Sequence, residues 1–194
     1  MRYQILPAFR ITLLMTILLG LVYPGIVWGL CQLLFPHRAN GSMVEAQGRV
    51  VGSALIGQNF TKPSYFHPRP SAAGSNGYDA SASAASNYGP TNQKLIDRVK
   101  SDLEKFHHDN PNYHGPNIPS DLLTTSGSGL DPDLSPASAL AQAPRVASER
   151  GATLEQIQEL IAQNTQGRTL GFLGEPRVNV LALNLELDRR FPLH

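Results

Sequence analysis

The chain has 194 residues, a formal net charge of +1 and 16% charged residues. Because positive and negative charges nearly cancel, no strong field of one sign is available, and the composition argues against nucleic acid as a partner. The single cysteine, Cys31, lies in an apolar run, so the rest of the chain must fold without disulfides.

The first predicted element is a membrane helix with a bend. The segment from Ile11 to Phe35 has no charged side chain over 25 positions, whereas a bilayer core of about 30 Å needs only about 20 apolar residues in a helix. The run is longer than the apolar part of a signal peptide, and no A-x-A-like cleavage site follows it. We predict an uncleaved transmembrane helix at 11–35, bent at Pro24.

Small residues recur along this predicted helix. Gly25 and Gly29 form a G-x-x-x-G, and Thr16 and Gly20 are a second small pair four positions apart. Small side chains let a neighbouring helix approach closely in lipid, although glycine is also common in isolated membrane helices. Two pairs beside a prolyl bend favour packing against other membrane helices.

Basic residues on the two sides of the apolar run are almost balanced. Arg2 and Arg10 precede it, and Arg38 and Arg49 follow it, so the positive-inside rule leaves both orientations open. The short N-terminal tail with its α-amino charge favours a cytoplasmic N-terminus. The predicted organisation is a cytoplasmic tail at 1–10, the transmembrane helix at 11–35 and an extracytoplasmic (periplasmic) domain at 36–194.

The domain after the membrane helix is predicted as α+β, with mixed helices and a few short strands. Residues 61–72 carry three prolines and predict an irregular path, and residues 70–92, rich in Ser, Ala, Gly and Asn, predict a long surface loop. Before them, residues 42–60 have the pattern of two strands around a Gln-Gly turn. The predicted core positions of that hairpin are Val44, Val50, Val51, Leu55 and Ile56.

Helices are predicted from apolar spacing and from capping residues. Residues 91–108 repeat apolar side chains at helical spacing after a possible cap at Thr91 or Asn92. Residues 136–150 predict a helix that Pro144 restarts, and Gly151 is a natural left-handed end. A capping box opens the next helix at 153–156. In the tail, 178–191, helical and strand periods compete, and we favour helix.

The loop at 121–136, DLLTTSGSGLDPDLSP, invites several functional interpretations. It lacks the lysine and the hydroxyl of a phosphate-binding P-loop, and no G-x-S-x-G or S-x-x-K selects Ser126 or Ser128 as a nucleophile. Asp131 or Ser135 can cap a helix, and the prolines that follow suit first helical positions. A turn leading into a helix is the favoured interpretation.

Metal-binding residues are present but not in a metal-binding pattern. His107, His108 and His114 are close in sequence, yet adjacent histidines point to different helix faces and no H-E-x-x-H occurs. Asp131 and Asp133 offer fewer oxygen ligands than a calcium loop brings. We predict no metal site and a solvated helix end.

Six segments in order carry a family resemblance. They are GSALIGQNF (52–60), YFHPRPSA (65–72), SNYGPTN (86–92), DLLTTSGSGLDPDLSP (121–136), RVASERG (145–151) and GEPRVNVLALNLELD (174–188). Together they make the chain similar to the C chain of the bacterial Kdp potassium-transporting ATPase over essentially its whole length. It departs from that family's pattern at His67-Pro68, where an aromatic and a glycine are expected, and at Asp133, where histidine is expected.

The resemblance implies a non-catalytic subunit of a four-part K⁺ pump in the bacterial inner membrane. Its implied partners are the pore-forming, ATP-hydrolysing and small subunits. Consistently, the sequence has no D-K-T-G phosphorylation motif and no T-V-G-Y-G-type filter. Alternatives that remain open are a membrane-anchored envelope enzyme using Ser126 or Ser128 with a histidine, and a ligand-binding module built on the 70–92 loop.

The resemblance also implies a catalytic chaperone that raises the ATP affinity of the hydrolysing subunit, with Gln58 as the matching nucleotide contact. The predicted orientation places Gln58 outside the membrane, whereas ATP is cytoplasmic. We therefore expect no cofactor of the chain's own, with ATP acting through the complex and its affinity changed through packed helices.

Overall fold

The computed structural model describes residues 2–193. The chain divides into two compact units, the first ending at Met43 and the second beginning at Val44. The predicted fold class is confirmed, because one long apolar helix at the N-terminus is followed by a small domain of helices and short strands.

The first unit is a helix that is α-helical at both ends and π-helical in the middle. Its segments are α1 (Arg2–Ile17), a π turn (Leu18–Val22) and α2 (Tyr23–Leu34), followed by the short α3 (Pro36–Ala39). The helix begins within the predicted cytoplasmic tail, and the part from Tyr3 to Leu34 is long and apolar enough to cross a membrane. Pro24 is the second residue of α2, which begins directly after the π turn. A proline ring clashes with the carbonyl one turn earlier, and the wider π turn gives it room.

The second unit combines two small antiparallel sheets with four helices. The hairpin strands β1 and β2 pair with each other, and the other sheet has the order β3-β5-β4. In that sheet Leu134 pairs with Val178, which in turn pairs with Thr165. The elements are β1 (Met43–Ala46), β2 (Arg49–Ser53), α4 (Gln93–Asp109), a 3₁₀ turn (Ser120–Leu122), β3 (Asp133–Leu134), α5 (Pro136–Arg150), α6 (Leu154–Gln163), β4 (Thr165–Gln166), β5 (Arg177–Asn179) and α7 (Val180–Arg190).

The hairpin is confirmed, but the prediction that its apolar side chains form core is wrong. Val50 and Leu55 are 55% and 59% exposed, Val51 and Ile56 are also exposed, and Val44 is half-buried. The hairpin is a two-stranded sheet of its own, so it lacks the second layer that buries one face of a larger sheet.

The core forms around α5 instead. Small side chains on α5 let α6 and β5 approach it closely, and α7 packs against α6 and β5. The large aromatic ring in this core, Phe66, comes from the irregular segment 61–72. The fully buried members are Phe66, Ala139, Ala143, Val146, Ile157, Leu160, Val178, Leu183 and Leu187.

Two side-chain amides replace a strand partner for the backbone at positions 66 and 67. Asn184 on α7 accepts from the Phe66 N–H (2.9 Å) and donates to the Phe66 carbonyl (3.0 Å). Gln142 on α5 does the same for His67, at 2.8 and 3.0 Å. Both amides are almost fully buried, so the backbone polar groups beside the core are satisfied without a sheet.

Two buried arginines of α5 hold the same segment by its carbonyls. Arg145 donates to the carbonyls of Pro63 and Tyr65, and Arg150 Nε donates to the Ser64 carbonyl at 2.8 Å. Burial lowers the pKa of Arg145 to about 10, which leaves the guanidinium charged at neutral pH. The proline-rich path predicted at 61–72 is therefore irregular yet fastened at consecutive residues.

Helix ends follow the local signals in the sequence. The predicted caps of α4, α5 and α6 and the left-handed end of α5 are confirmed, whereas Pro144 lies inside a continuous α5 and does not restart it. Asn92 caps α4 by accepting from the Lys94 N–H at 2.9 Å, and Ser135 caps α5 by accepting from the Ser138 N–H at 3.1 Å. Thr153 and Gln156 form the capping box of α6, and Gly151 ends α5 at φ 62°.

The predicted helix at 178–191 is confirmed for most of its length. The helix α7 begins at Val180, and its cap Asn179 accepts from the Ala182 N–H at 3.0 Å. The three residues Arg177–Asn179 before it form β5, so both competing periodicities are used, one after the other.

The loop at 70–92 is held by hydroxyl groups more than by apolar side chains. Ser71 Oγ donates to the Gly129 carbonyl (2.6 Å), and Ser83 Oγ donates to the Ser128 carbonyl (2.9 Å). Gly129 has φ +68°, and a Cβ there would lie 2.6 Å from a backbone carbonyl of the loop. Glycine is needed at this position for both its conformation and its small size.

We predict that Asn184→Leu destabilises the domain by about 2–4 kcal/mol. The substitution keeps the volume but leaves the Phe66 N–H and carbonyl buried without partners, each at a cost of about 1–3 kcal/mol. Pulse proteolysis of the full chain in detergent micelles across a urea series measures the change. Asn112→Leu at an exposed position is the control and should stay within about 0.5 kcal/mol of the wild type. Equal stability of both variants would contradict the role given to Asn184.

Candidate functional sites

The first candidate site is the small-residue face of the membrane helix. Thr16 lies in α1, Gly20 in the π turn, and Gly25 and Gly29 in α2. Within residues 2–193, a Cβ added to any of the three glycines would meet no atom within 4 Å outside the helix backbone. Packing inside this chain therefore does not require glycine there, and the face is open to a neighbouring helix.

The π turn changes how the two small pairs relate to each other. Because a π turn rotates less per residue than an α-helix, Leu18–Val22 shifts the face on which Thr16 and Gly20 lie relative to the face of α2. Gly25 and Gly29 are one α-helical turn apart on the same face of α2. They form the more regular of the two predicted contact surfaces.

The second candidate is Gln58, and its side chain has a partner within the chain. Its amide nitrogen donates to the carbonyl of Val51, in the middle of β2, at 2.9 Å. Two further hydrogen bonds hold the same turn. The Gly57 N–H donates to the Leu130 carbonyl at 2.8 Å, and the side-chain amide of Asn179 donates to the Ala54 carbonyl at 3.0 Å. Gln58 closes this turn onto the hairpin.

Gly52 completes the Gln58 turn, and no sequence motif indicates this role. A Cβ at Gly52 would overlap the Gln58 amide nitrogen and lie 3.2 Å from Leu181 Cδ2. The carboxamide thus fills the space that any other residue at position 52 would need. The pairing joins positions on either side of a turn, so no local spacing rule could identify it.

Asp131 is an ion-pair partner in the structure, and the alternative that it caps a helix is wrong. Its Oδ2 lies 2.8 Å from Arg69 Nη1, and its Oδ1 accepts from the Asp133 N–H at 3.1 Å. The cap of α5 is Ser135, whose hydroxyl also contacts Asp121. Asp131 therefore joins the 121–136 loop to the irregular segment.

The serines of this loop take part in turn contacts. Ser126 is buried, with 6% of its surface exposed, and its hydroxyl lies 3.5 Å from the Ser128 hydroxyl. The Ser128 hydroxyl in turn accepts from the Leu130 N–H at 3.1 Å. Among residues 2–193, the histidine rings with hydrogen bonds are His67, to the Lys62 carbonyl, and a helix-end histidine bonded to its neighbouring aspartate. Neither ring bonds to a serine.

No metal centre is found in the described part of the chain, residues 2–193, where no three His, Cys, Asp or Glu side chains are grouped to hold an ion. The predicted helix-end histidines His107, His108 and His114 are exposed. His108 Nδ1 lies 3.1 Å from the carboxylate of the adjacent Asp109. These side chains form a solvated end of α4.

A cavity of about 250 Å³ that no sequence pattern indicates lies beside α4. Its charged lining residues are Arg69, Asp102, Lys105 and Asp109. Burial lowers the pKa of the lining residue His67 to about 4, and it raises the pKa of Asp102. The walls come from six separate stretches of chain, which explains why no single motif indicates the cavity.

Comparisons with known proteins agree on one family. A family model described as "KdpC: K+-transporting ATPase, c chain" matches residues 5–189. Proteins named "Potassium-transporting ATPase KdpC subunit" are 53% identical in Koribacter versatilis, over 100% of this chain and 98% of the relative. In Myxococcus xanthus the identity is 57%, over 96% of this chain and 88% of the relative. In Caulobacter sp. (strain K31) it is 57%, over 97% and 94%.

We predict that Gly52 and Gln58 are energetically coupled. Gly52→Ala should destabilise the domain by about 1–3 kcal/mol, as overpacking does. In a Gln58→Ala background the same substitution should cost at least about 0.5 kcal/mol less, because the displaced carboxamide is gone. Urea unfolding of the four proteins of this cycle gives the coupling energy. Gly89→Ala, where an added Cβ meets nothing within 4 Å, is the matched control. Additive effects would show that the two residues do not share this space.

Proposed function

The chain belongs to the KdpC family, the c chains of K⁺-transporting ATPases, and on this premise we propose that it stabilises the assembled pump without catalysing a step itself. The observation that carries the proposal is the open glycine face of the membrane helix. At Gly25 and Gly29 the helix backbone is exposed. Within residues 2–193, a Cβ added at either position meets no atom within 4 Å outside the helix backbone, so contacts inside this part of the chain do not require glycine there. Small residues of this kind permit close helix packing in lipid.

The proposed partners are the pore-forming, ATP-hydrolysing and small subunits of the pump. The division of labour is supported by the sequence, which carries neither a D-K-T-G phosphorylation motif nor a T-V-G-Y-G-type filter. The proposed location is the bacterial inner membrane, with a cytoplasmic N-terminus and a periplasmic domain. An envelope enzyme based on Ser126 or Ser128 is disfavoured, because both hydroxyls serve turns and neither bonds to a histidine ring among residues 2–193.

An effect on ATP affinity is proposed to be transmitted rather than direct. The residue that the resemblance offers as a nucleotide contact, Gln58, donates its amide to Val51 within its own domain. In the proposed orientation it also lies across the membrane from ATP. The chain then needs no cofactor of its own, and a coupling of about 1–3 kcal/mol through packed helices is the usual size of such an effect.

We predict that Gly25→Leu or Gly29→Leu lowers the amount of the other pump subunits that co-purifies with this chain. Leucine adds bulk where a helix is proposed to touch the backbone. Val27→Phe, on the opposite side of α2, adds comparable bulk and should leave the yield unchanged. Co-purification from detergent-solubilised membranes, normalised to the tagged chain, measures the effect. Unchanged yield in both glycine variants would refute assembly through this face.

We predict that a cysteine at Leu170 reacts with a membrane-impermeant maleimide on intact spheroplasts, whereas one at Tyr3 reacts only after permeabilisation. Both positions are strongly exposed, at 80% and 95%, so accessibility depends on the side of the membrane. Cys31→Ala provides the background. The reverse labelling pattern would place the domain in the cytoplasm and make direct contact with ATP the better proposal.

A further inference from the structure

The cavity beside α4 has a preformed shape. One wall is the irregular segment around His67 and Arg69, and a second is the turn at residues 76–78. The hydroxyl of Tyr78 donates to the Arg69 carbonyl, and its N–H donates to Ser71 Oγ at 2.8 Å. These bonds tie the two walls together, so the cavity does not depend on a ligand for its form.

The turn that closes this wall is conformationally unusual. Tyr78 has φ +58°, directly after Gly77 with φ +75°. A bulky residue in the left-handed region is rare, and such strain costs about 1–3 kcal/mol, which the surrounding contacts must offset. The third wall is the face of α4 that carries the buried ring of Phe106.

Acidic and basic side chains both line this face of α4, and in the described part of the chain no salt bridge joins Lys105 to Asp102 or Asp109. Asp102, Lys105 and Asp109 are three and four residues apart, a spacing that allows ion pairs along a helix. Yet among residues 2–193 Lys105 forms no salt bridge, and Asp102 is 3.7 Å from Arg98, with one carboxylate oxygen lacking a hydrogen-bond partner. Among the residues that the structure describes, the salt-bridge partner of Asp109 is the exposed ring of His108, at 3.1 Å, and the buried charge of Arg145 is near enough to interact with the Asp109 carboxylate.

This mixture of charges excludes several ligand classes. A simple anion would meet Asp102 and Asp109, and a simple cation would meet Lys105 and Arg69. An apolar ligand would remove water from all four charges without compensation. A nucleotide carries several negative charges, and the cavity of about 250 Å³ is smaller than the usual range for larger ligands, about 300–1,000 Å³.

We propose that the cavity binds a small zwitterion, such as an amino acid with a short carbon chain. Its ammonium group is held at Asp102 and Asp109, its carboxylate at Lys105 and Arg69, and its carbon chain lies against the ring of Phe106. Binding of this kind is separate from the proposed role in assembly, since every lining residue belongs to the second unit.

Partial burial strengthens such recognition. Desolvation raises the pKa of Asp102 and lowers that of His67 to about 4. His67 is therefore neutral at neutral pH, and the charged groups that face a ligand are Asp102, Asp109, Lys105 and Arg69. Arg69 Nη1 is held by Asp131 at 2.8 Å, whereas its Nε has no hydrogen-bond partner among residues 2–193 and is left for a ligand carboxylate. In a partly dry site each ion pair is worth more than in bulk water.

The test is calorimetry on the full chain in detergent micelles with glycine, 4-aminobutanoate, 5-aminopentanoate and 6-aminohexanoate. Pentylamine and pentanoate are matched probes that carry one charge each. At least one amino acid of the series should bind about tenfold more tightly than both single-charge probes. If no amino acid exceeds both probes, the proposal is wrong.

Variants locate the site. Asp109→Asn and Lys105→Gln should each weaken binding of the selected amino acid by about tenfold or more. Asp97→Asn and Lys100→Gln, on the opposite side of α4, are the matched controls and should bind normally. Urea unfolding without ligand confirms that each variant is folded. Undiminished binding by both cavity variants would overturn the proposal, whatever the outcome of the assembly experiments.

Discussion

The C-terminal domain depends on satisfying the backbone of one irregular segment, residues 63–67, inside the molecule. A buried carbonyl or N–H without a partner costs about 1–3 kcal/mol, and among residues 2–193 no strand pairs with this segment. Four polar side chains take the place of a strand: Gln142, Arg145 and Arg150 from α5, and Asn184 from α7. Because these bonds are directional, they fix α5 and α7 against the segment and set the ring of Phe66 into the core between them.

The same constraint explains what the sequence could and could not predict. Helix caps such as Asn92 and Ser135 were predictable, since each bonds to a backbone N–H two or three residues away. The bonds of Gln142 and Asn184 join residues 75 and 118 positions apart. Asp131 was assigned as a possible cap by its local setting, whereas its partner Arg69 lies 62 positions away. Long-range partners leave no periodic or spacing signal in a single sequence.

The candidate sites also differ in whether a local sequence pattern or distant segments form them. The glycines of the membrane helix were visible in the sequence, because four-residue spacing in a helix is itself a local pattern. The fit of Gly52 to the Gln58 carboxamide and the cavity beside Lys105 arise only when distant segments meet. The exposed valines of the hairpin were misassigned for the same reason: an alternating pattern predicts a strand, but the layer that would cover Val50 and Val51 is not encoded near them.

The proposed effect of the membrane helix on ATP binding requires more than stable contact with the other subunits. A contact that is equally strong in two conformations of a pump stabilises the assembly but shifts no equilibrium. The proposed change in ATP affinity, if transmitted through the helix face, therefore requires the packing at Gly25 and Gly29 to differ between the ATP-bound and ATP-free conformations of the partner. A coupling of about 1–3 kcal/mol is comparable to a few interhelical hydrogen bonds or close backbone contacts in lipid. The π turn before α2 interrupts the regular α-helical hydrogen bonding, and bends in long helices occur at such turns, which makes this turn the place in the membrane helix where we propose that its packing differs between the two conformations.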